Sequence, residues 1–341
     1  MPKNFICLLV LLLPIYLKAQ TNTFPVAALQ EDFRFIRQQL FNAHANPFSV
    51  LTKEQYTHYL DSMEARITAP LSAAEFLERA KPALAPLEDE HSALFLPETV
   101  KQHIIDDRKE DVSANISYTR YGRSGYLLAR SFSCHGDKEM AIYEHNIDSI
   151  FHQIHLDGIT RLVIDVSHNT GGNSGVGDII INHIWNKPYI GYACNWRRSD
   201  EYLHLMKSWH SNDEVYEHTA VGDIVHFDPD TITPPESIKD RFNGKVIVLT
   251  GPKTFSSAIM FATLVKDNGI AQLAGQSPEN GHPTHFGENY GVELPYTGIQ
   301  LKFGVKEWIR PAGKTGVNKL IPDIPADVNL PPDQLIRKIK W

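Results

Sequence analysis

Beyond its first twenty residues, nothing in this sequence approaches the roughly 18 consecutive apolar positions that a membrane-spanning helix needs. It also lacks a basic block. Its 33 Lys and Arg face 40 Asp and Glu for a net charge of −7, which argues against a protein that grips nucleic acid by its phosphates. No phosphate-cradling loop, dinucleotide fingerprint or Gly-x-Ser-x-Gly elbow is present, and neither internal repeats nor low-complexity segments are visible. Cysteine is scarce: Cys7, Cys134 and Cys194 are all there are. What remains is ordinary folded protein, 42% hydrophobic and 21% charged. A length of 341 residues allows roughly two domains, or one large domain with an appendage.

The first twenty residues stand apart. Lys3 supplies a positive start, Ile6 to Leu17 is an apolar run broken by Pro14, and Leu17-Lys18-Ala19 ends in a small residue. That is the layout of a secretory signal peptide, with a short N-terminal anchor as the other reading. Cleavage after Ala19 is expected, which leaves 31 − 40 = −9, an exported chain and no membrane span. Cys7 lies inside the apolar run and not at its end, which argues against a lipid-modified terminal cysteine. Export permits Cys134 and Cys194 to pair; the sequence leaves that open.

Residues 20–100 read as a helical cap. Phe33, Ile36, Leu40 and Phe41 follow helical spacing. Thr52-Lys-Glu-Gln55 and Ser72-Ala-Ala-Glu75 are capping boxes, each flanked by apolar residues placed as a staple. Residues 101–341 read as an α/β core. Val112 to Tyr118 and Tyr126 to Phe132 are expected strands around the turn at residues 122–125, and Met140 to His155 carries helical spacing through Ile142, Ile147, Ile150 and Phe151. Two buried strands, Leu162–Val166 and Lys245–Gly251, each lead through a glycine-containing turn into a helix, and Ile270–Gly275 adds another short strand. Strand–helix alternation of this kind argues for parallel pairing. Val292–Leu294 and Ile299–Val305 read as a hairpin and Pro331–Lys340 as a closing helix. Trp196 to Ile238 is polar and hard to assign.

Two strand-to-helix junctions could carry chemistry. At Asn169-Thr-Gly171-Gly172 the glycines let backbone N–H groups turn toward a ligand; a plain tight turn is the alternative. At Thr254-Phe-Ser256-Ser257, a serine either caps the following helix or acts as a nucleophile where free N–H groups can stabilise an oxyanion. His91 sits beside Asp89 and Glu90, a setting that raises basicity. His282, His285 and Glu288 have a metal-like ligand count, but their Pro and Gly neighbours oppose a regular ligand-bearing helix.

Four motifs together resemble the tail-specific, or C-terminal-processing, serine peptidases. Leu87-Glu-Asp-Glu-His91-Ser92 is similar to that family's Asp-Gly-His-Thr segment after a helical cap. Tyr126-Leu-Leu-Ala-Arg-Ser-Phe132 resembles its Gly-Tyr-Ile-Arg-Ile-x-Ser-Phe strand. Ile164-Asp-Val-Ser-His-Asn169-Thr-Gly171-Gly172 resembles its Leu-Asp-Leu-Arg-x-Asn-x-Gly-Gly turn. Val248-Leu-Thr-Gly-Pro-Lys-Thr-Phe-Ser256-Ser-Ala258, followed by Leu273-Ala-Gly275, resembles the nucleophile helix and its next strand. The resemblance implies a crotonase/ClpP-like αββ core, peptide or protein substrates, and neither metal nor organic cofactor. It implies Ser256 as nucleophile and the amides of Gly171 or Gly172 and of Ser257 as the oxyanion hole. The chain also departs from the pattern. Only about twenty residues separate His91 from the first core strand, too few for a PDZ module, and Ser-Ala-x-Glu becomes Ser256-Ser-Ala-Ile259. Where the Ser/Lys branch has its basic lysine after a Phe-Gly pair, Phe286-Gly287 precedes Glu288. The chain is therefore closer to the branch resembling the tricorn core, with His91 as general base and Glu288 as the supporting acid. The altered nucleophile motif motivates the alternative, an inactive peptide-binding protein on the same scaffold.

Overall fold

Both capping boxes form. In the computed structural model, which describes residues 23–98, 112–208, 210–211, 213–314, 316–339 and 341, the cap comprises α1 (Val26–Ala43), α2 (Lys53–Glu64) and α3 (Ala73–Ala80). The Thr52 and Ser72 side chains accept from the amides three residues on, and Gln55 and Glu75 reach back to the cap amides. Leu29, Phe33, Ile36 and Leu40 line the buried face of α1 at spacings of four, three and four. Pro82 and Pro86 deny α3 its continuation, so Lys81–Leu87 winds as a 3₁₀ helix that ends at Glu88 with φ 47°. His91 therefore lies in the turn beyond that helix, just ahead of β1 (Ala93–Phe95). The leader read over residues 1–19 and the boundary drawn between residues 100 and 101 lie outside the described residues.

The next elements are β2 (Ile116–Tyr121), β3 (Ser124–Ala129), α4 (Asp137–Leu156), β4 (Arg161–Asp165) and α5 (Ser174–Ile184). The polar stretch resolves into β5 (Ala193–Arg197), α6 (Asp200–Ser208), α7 (Glu214–His218) and β6 (Ile224–Phe227). Then follow β7 (Lys245–Thr250), α8 (Ser257–Asp267), β8 (Gln272–Gly275), β9 (His285–Glu293), β10 (Gln300–Ile309), β11 (Ile324–Pro325) and α9 (Pro332–Lys338). Two sheets organise these strands. In one, the order is β11-β8-β7-β4-β3-β2; all neighbours run parallel except the β2–β3 edge pair. Its inner strands β3, β4, β7 and β8 are largely buried on both faces, as near-continuous apolar runs require: α4, α5 and α8 pack on one side around Phe151, Ile180 and Phe261, while α9 closes the other over Val163, Leu249 and Ala274.

The second sheet is antiparallel, in the order β9-β10-β5-β6, with β1 on the opposite end of β10 from β5. It carries the cap. Leu29, Phe33, Ile36, Tyr56 and Phe76 share one apolar cluster with Trp196, Tyr202, Leu301 and Phe303. Asp32, fully buried on α1, accepts hydrogen bonds from the Tyr296 and Thr297 amides and the Thr297 hydroxyl at the β9–β10 turn. Two expectations change, and the question left open about the cysteines is answered. Val112–Ala114 is a 3₁₀ turn, so β2 begins only at Ile116. Ile142 is 40% exposed, and Tyr143 takes its place on the buried face of α4. Cys134 and Cys194 are both free, the latter buried in the cap cluster.

Candidate active site

Ser256 stands at the junction of β7 and α8 with φ 50° and ψ −126°, a backbone conformation costly for a residue with a Cβ. It precedes the helix, yet its side chain makes no capping hydrogen bond. The hydroxyl instead lies 3.0 Å from His91 Nε2. Ser257 differs: its hydroxyl donates to the Gly172 carbonyl at 2.7 Å and is spent there. The turn below is braced by Thr254, whose hydroxyl donates to the Val166 carbonyl and accepts from the Gly251 amide.

The Gly-Gly turn after β4 supports this junction. Asn169, fully buried, donates to the Ala129 carbonyl and accepts from the Gly171 amide, while its own carbonyl takes the Phe255 amide. The Gly171 N–H is therefore already engaged. Gly171 serves by being small: a Cβ there would come 2.7 Å from Ser256 Cβ and 2.9 Å from the Ser257 nitrogen, and its φ is +98°. The amides left for an oxyanion are those of Gly172, for which no bond is formed among the described residues, and Ser257, the first residue of α8, which has no carbonyl to meet within the helix. Of the three expected donors, Gly172 and Ser257 thus remain.

His91 is 9% exposed, and its ring lies against Phe255 and His285. Burial holds its imidazole below the ordinary value. The Asp89 charge opposes that shift, the Lys302 ammonium reinforces it, and the Phe286 carbonyl again opposes it. His285 is pushed down to about 4 by burial and by neighbouring His91, so it adds no cation near neutral pH. The charged neighbour of His91 is Asp89, whose Oδ1 lies 3.8 Å from Nδ1. Asp89 Oδ1 also accepts the His91 amide at 2.8 Å; its Oδ2 accepts from the Ser92 hydroxyl at 2.7 Å, the Gly304 amide at 3.0 Å and His44 Nε2 at 3.3 Å. Burial alone would raise this carboxyl. The hydrogen bond from His44, with those from Ser92 and Gly304, outweighs burial and holds it well below the usual carboxylate range.

Glu288, expected as the supporting acid, is directed elsewhere. Along β9, Phe286 meets His44 of the cap and Tyr290 joins the cap cluster. Glu288, on that alternation and with φ 53°, meets Tyr202 and lies 3.7 Å from Lys306. Nor do His282, His285 and Glu288 converge as metal ligands: His282 pairs with Glu90, and His285 Nδ1 donates to the His282 carbonyl. Asp89, Glu90 and His91 do offer ligand atoms within 4.8 Å of one another, but the Asp89 oxygens are already engaged by protein donors. An open cleft of about 1000 Å³ borders the acid side of the site along Asp89, Glu90, His282 and His285. The sequence signal for Asp89 was present in Asp-x-His-Ser, the spacing at which an aspartate accepts from amides and hydroxyls just ahead of it; His44 had none.

The family model described as Peptidase family S41 matches residues 123–326, and the chain belongs to that family. No curated protein matches it. Among solved structures, it resembles a protein from Parabacteroides merdae ATCC 43184 described as a candidate peptidase, with a TM-score of 0.61 at 17% identity over 89% of this chain and 90% of that one. It resembles mature CPAF with a TM-score of 0.62 at 12% identity, covering 88% and 92% of the two chains. It also resembles the photosystem II D1 C-terminal processing protease, with a TM-score of 0.50 at 12% identity over 89% and 93%. Identities this low establish the fold, the mixed α/β core of the crotonase/ClpP-like type.

Proposed function

We propose that the protein is an exported serine endopeptidase that cleaves peptides or protein C-termini, with Ser256 as nucleophile and His91 as general base. The observation that carries this reading is the 3.0 Å contact between His91 Nε2 and a Ser256 hydroxyl that caps nothing. His91 takes the Ser256 proton as Oγ attacks the scissile carbonyl. The oxyanion forms against the Gly172 and Ser257 amides, where losing one donor costs about 3 kcal/mol of transition-state stabilisation. His91 then gives its proton to the leaving amine, and a water repeats the sequence on the acyl-enzyme. Asp89, in place of Glu288, stabilises the imidazolium that forms. Hydrogen bonds at such sites are often long before substrate binds, which accommodates the 3.8 Å separation. The reading includes a histidine in place of the dyad lysine, as in the tricorn-core-like branch, no PDZ module, and export directed by the leader. The chemistry uses no metal or organic cofactor.

A serine-reactive fluorophosphonate probe tests it. Labelling of Ser256 in the wild type, absent from His91→Ala, is expected. Persistent silence on folded protein would favour an inactive peptide-binding protein.

A further inference from the structure

We propose that His44, which ends α1, is a positioning residue that holds the Asp89 carboxylate in place for His91. The proposal rests on the peptidase reading. His44 is fully buried, its ring against Phe286 and Phe303. The Asn46 amide donates to its Nδ1 at 3.1 Å. That nitrogen is therefore the acceptor, the ring proton sits on Nε2, and Nε2 is the donor to Asp89 Oδ2. The backbone is fixed as well: the His44 carbonyl accepts from Arg197 Nε and the neighbouring Ala45 amide donates to the Gly304 carbonyl. Gly304 in turn donates to Asp89. A ring whose orientation and tautomer are both set thus clamps one carboxylate oxygen and leaves the other, which accepts the His91 amide, 3.8 Å from a His91 Nδ1 that has no hydrogen-bond partner among the described residues. Without that donor, the carboxylate keeps Ser92 and Gly304 on Oδ2 and the His91 amide on Oδ1, but loses the partner that α1 supplies to fix its orientation. The line Ser256–His91–Asp89–His44 makes the cap a part of the catalytic array.

Three substitutions separate this role from simple core filling. His44→Gln places an amide donor near the Nε2 position. His44→Met fills similar space with no donor, and His44→Asn mimics only the Nδ1 side. The charged or titratable groups around His91, namely Asp89, Glu90 with His282, Lys302 on β10 and His285 on β9, are the same in all three. In the full chain, His44→Met is expected to lower kcat on a fluorogenic peptide by roughly tenfold or more with KM little changed, the scale seen when an outer partner of a catalytic group is lost. It should also move the His91 titration midpoint, read by imidazole NMR, by about half a unit or more. His44→Gln should restore most of both. Should His44→Met fail to fold, His44→Asn makes the same comparison with His44→Gln.

Equal losses in the glutamine and donor-free variants would overturn the proposal, as would an unmoved His91 midpoint in a folded donor-free variant. If the wild type neither cleaves peptides nor reacts with fluorophosphonate, the peptidase reading fails by itself. The NMR titration then decides the role of His44 alone.

Discussion

The proposed nucleophile and the proposed base reach each other by different routes. Ser256 is placed by two neighbouring strand–turn–helix units, β4 to α5 and β7 to α8, whose strands pair directly. Its supports, Asn169, Thr254 and the Gly-Gly turn, all belong to those units. His91 has almost no local frame. It follows a broken helix, and its acid is held by His44 from the cap and Gly304 from β10, with Ser92 and the His91 amide from nearby. One half of the site comes from two adjacent units of regular strand–turn–helix structure, the other from single polar contacts 45 and 215 residues away in sequence. The nucleophile side should therefore respond to changes in backbone shape, the base side to loss of distant polar partners.

The largest effect expected is on Ser256 itself. Ser256→Ala should remove peptidase activity, by at least about 10⁴-fold, whereas Ser257→Ala, which loses only a bond to the Gly172 carbonyl, should keep substantial turnover. Turnover assays of both variants check the assignment, and a dead Ser257→Ala beside an active Ser256→Ala would shift it by one residue. His91→Ala should lower turnover by at least about a hundredfold without unfolding the protein, the scale of general-base catalysis.

Gly171→Ala comes next and probes shape alone. The added methyl meets Ser256 Cβ at 2.7 Å, and displacing a nucleophile by even about 1 Å can cost on the order of 10²-fold. Far-UV circular dichroism and probe labelling together distinguish a misplaced serine from an unfolded chain.

On the base side, Asp89→Asn is expected to slow turnover by about tenfold or more, and Glu288→Gln to stay within about twofold of wild type. The reverse order in kcat measurements would return the acid's role to Glu288. The smallest effect is in pH. A base held below its ordinary value of about 6.5 stays neutral through the neutral range, so kcat/KM should rise through a midpoint below about 6.5 and then level. Stability should weaken over the same acid range. The unfolded chain takes up protons on histidine first, while folded His285 resists protonation down to about 4. Initial rates and thermal midpoints across pH separate the two.

This contrast also explains what the sequence disclosed. The buried strands Arg161–Asp165 and Lys245–Thr250, the glycine turn and both capping boxes are local patterns, and they were readable with small shifts of boundary. The resemblance already selected Ser256 over Ser257; the Gly172 carbonyl, 85 residues from Ser257, supplies the physical reason by taking the Ser257 hydroxyl. Glu288 was assigned from its place after a Phe-Gly pair; which face of β9 it occupies depends on the cap packed against that strand. Asp89 was visible as a neighbour of His91 but not as the residue to which three separate segments donate. His44 follows α1 in a stretch with no motif, and only tertiary contact reveals it.

The bond from Asp32 to the β9–β10 turn also bears on how the chain assembles. The apolar faces of α1, α2 and α3 have their partners in β5, β9 and β10, so they wait for nearly the whole polypeptide to be made. Contacts of such sequence separation form late, because chain entropy opposes them until both ends are present. His91 is carried into place by β1, which among the described residues pairs with β10 alone. A chain still being made can thus hold the strands of the Ser256 junction while lacking the contacts that seat His91. In that order of assembly the Ser256 junction precedes the arrival of its proposed base.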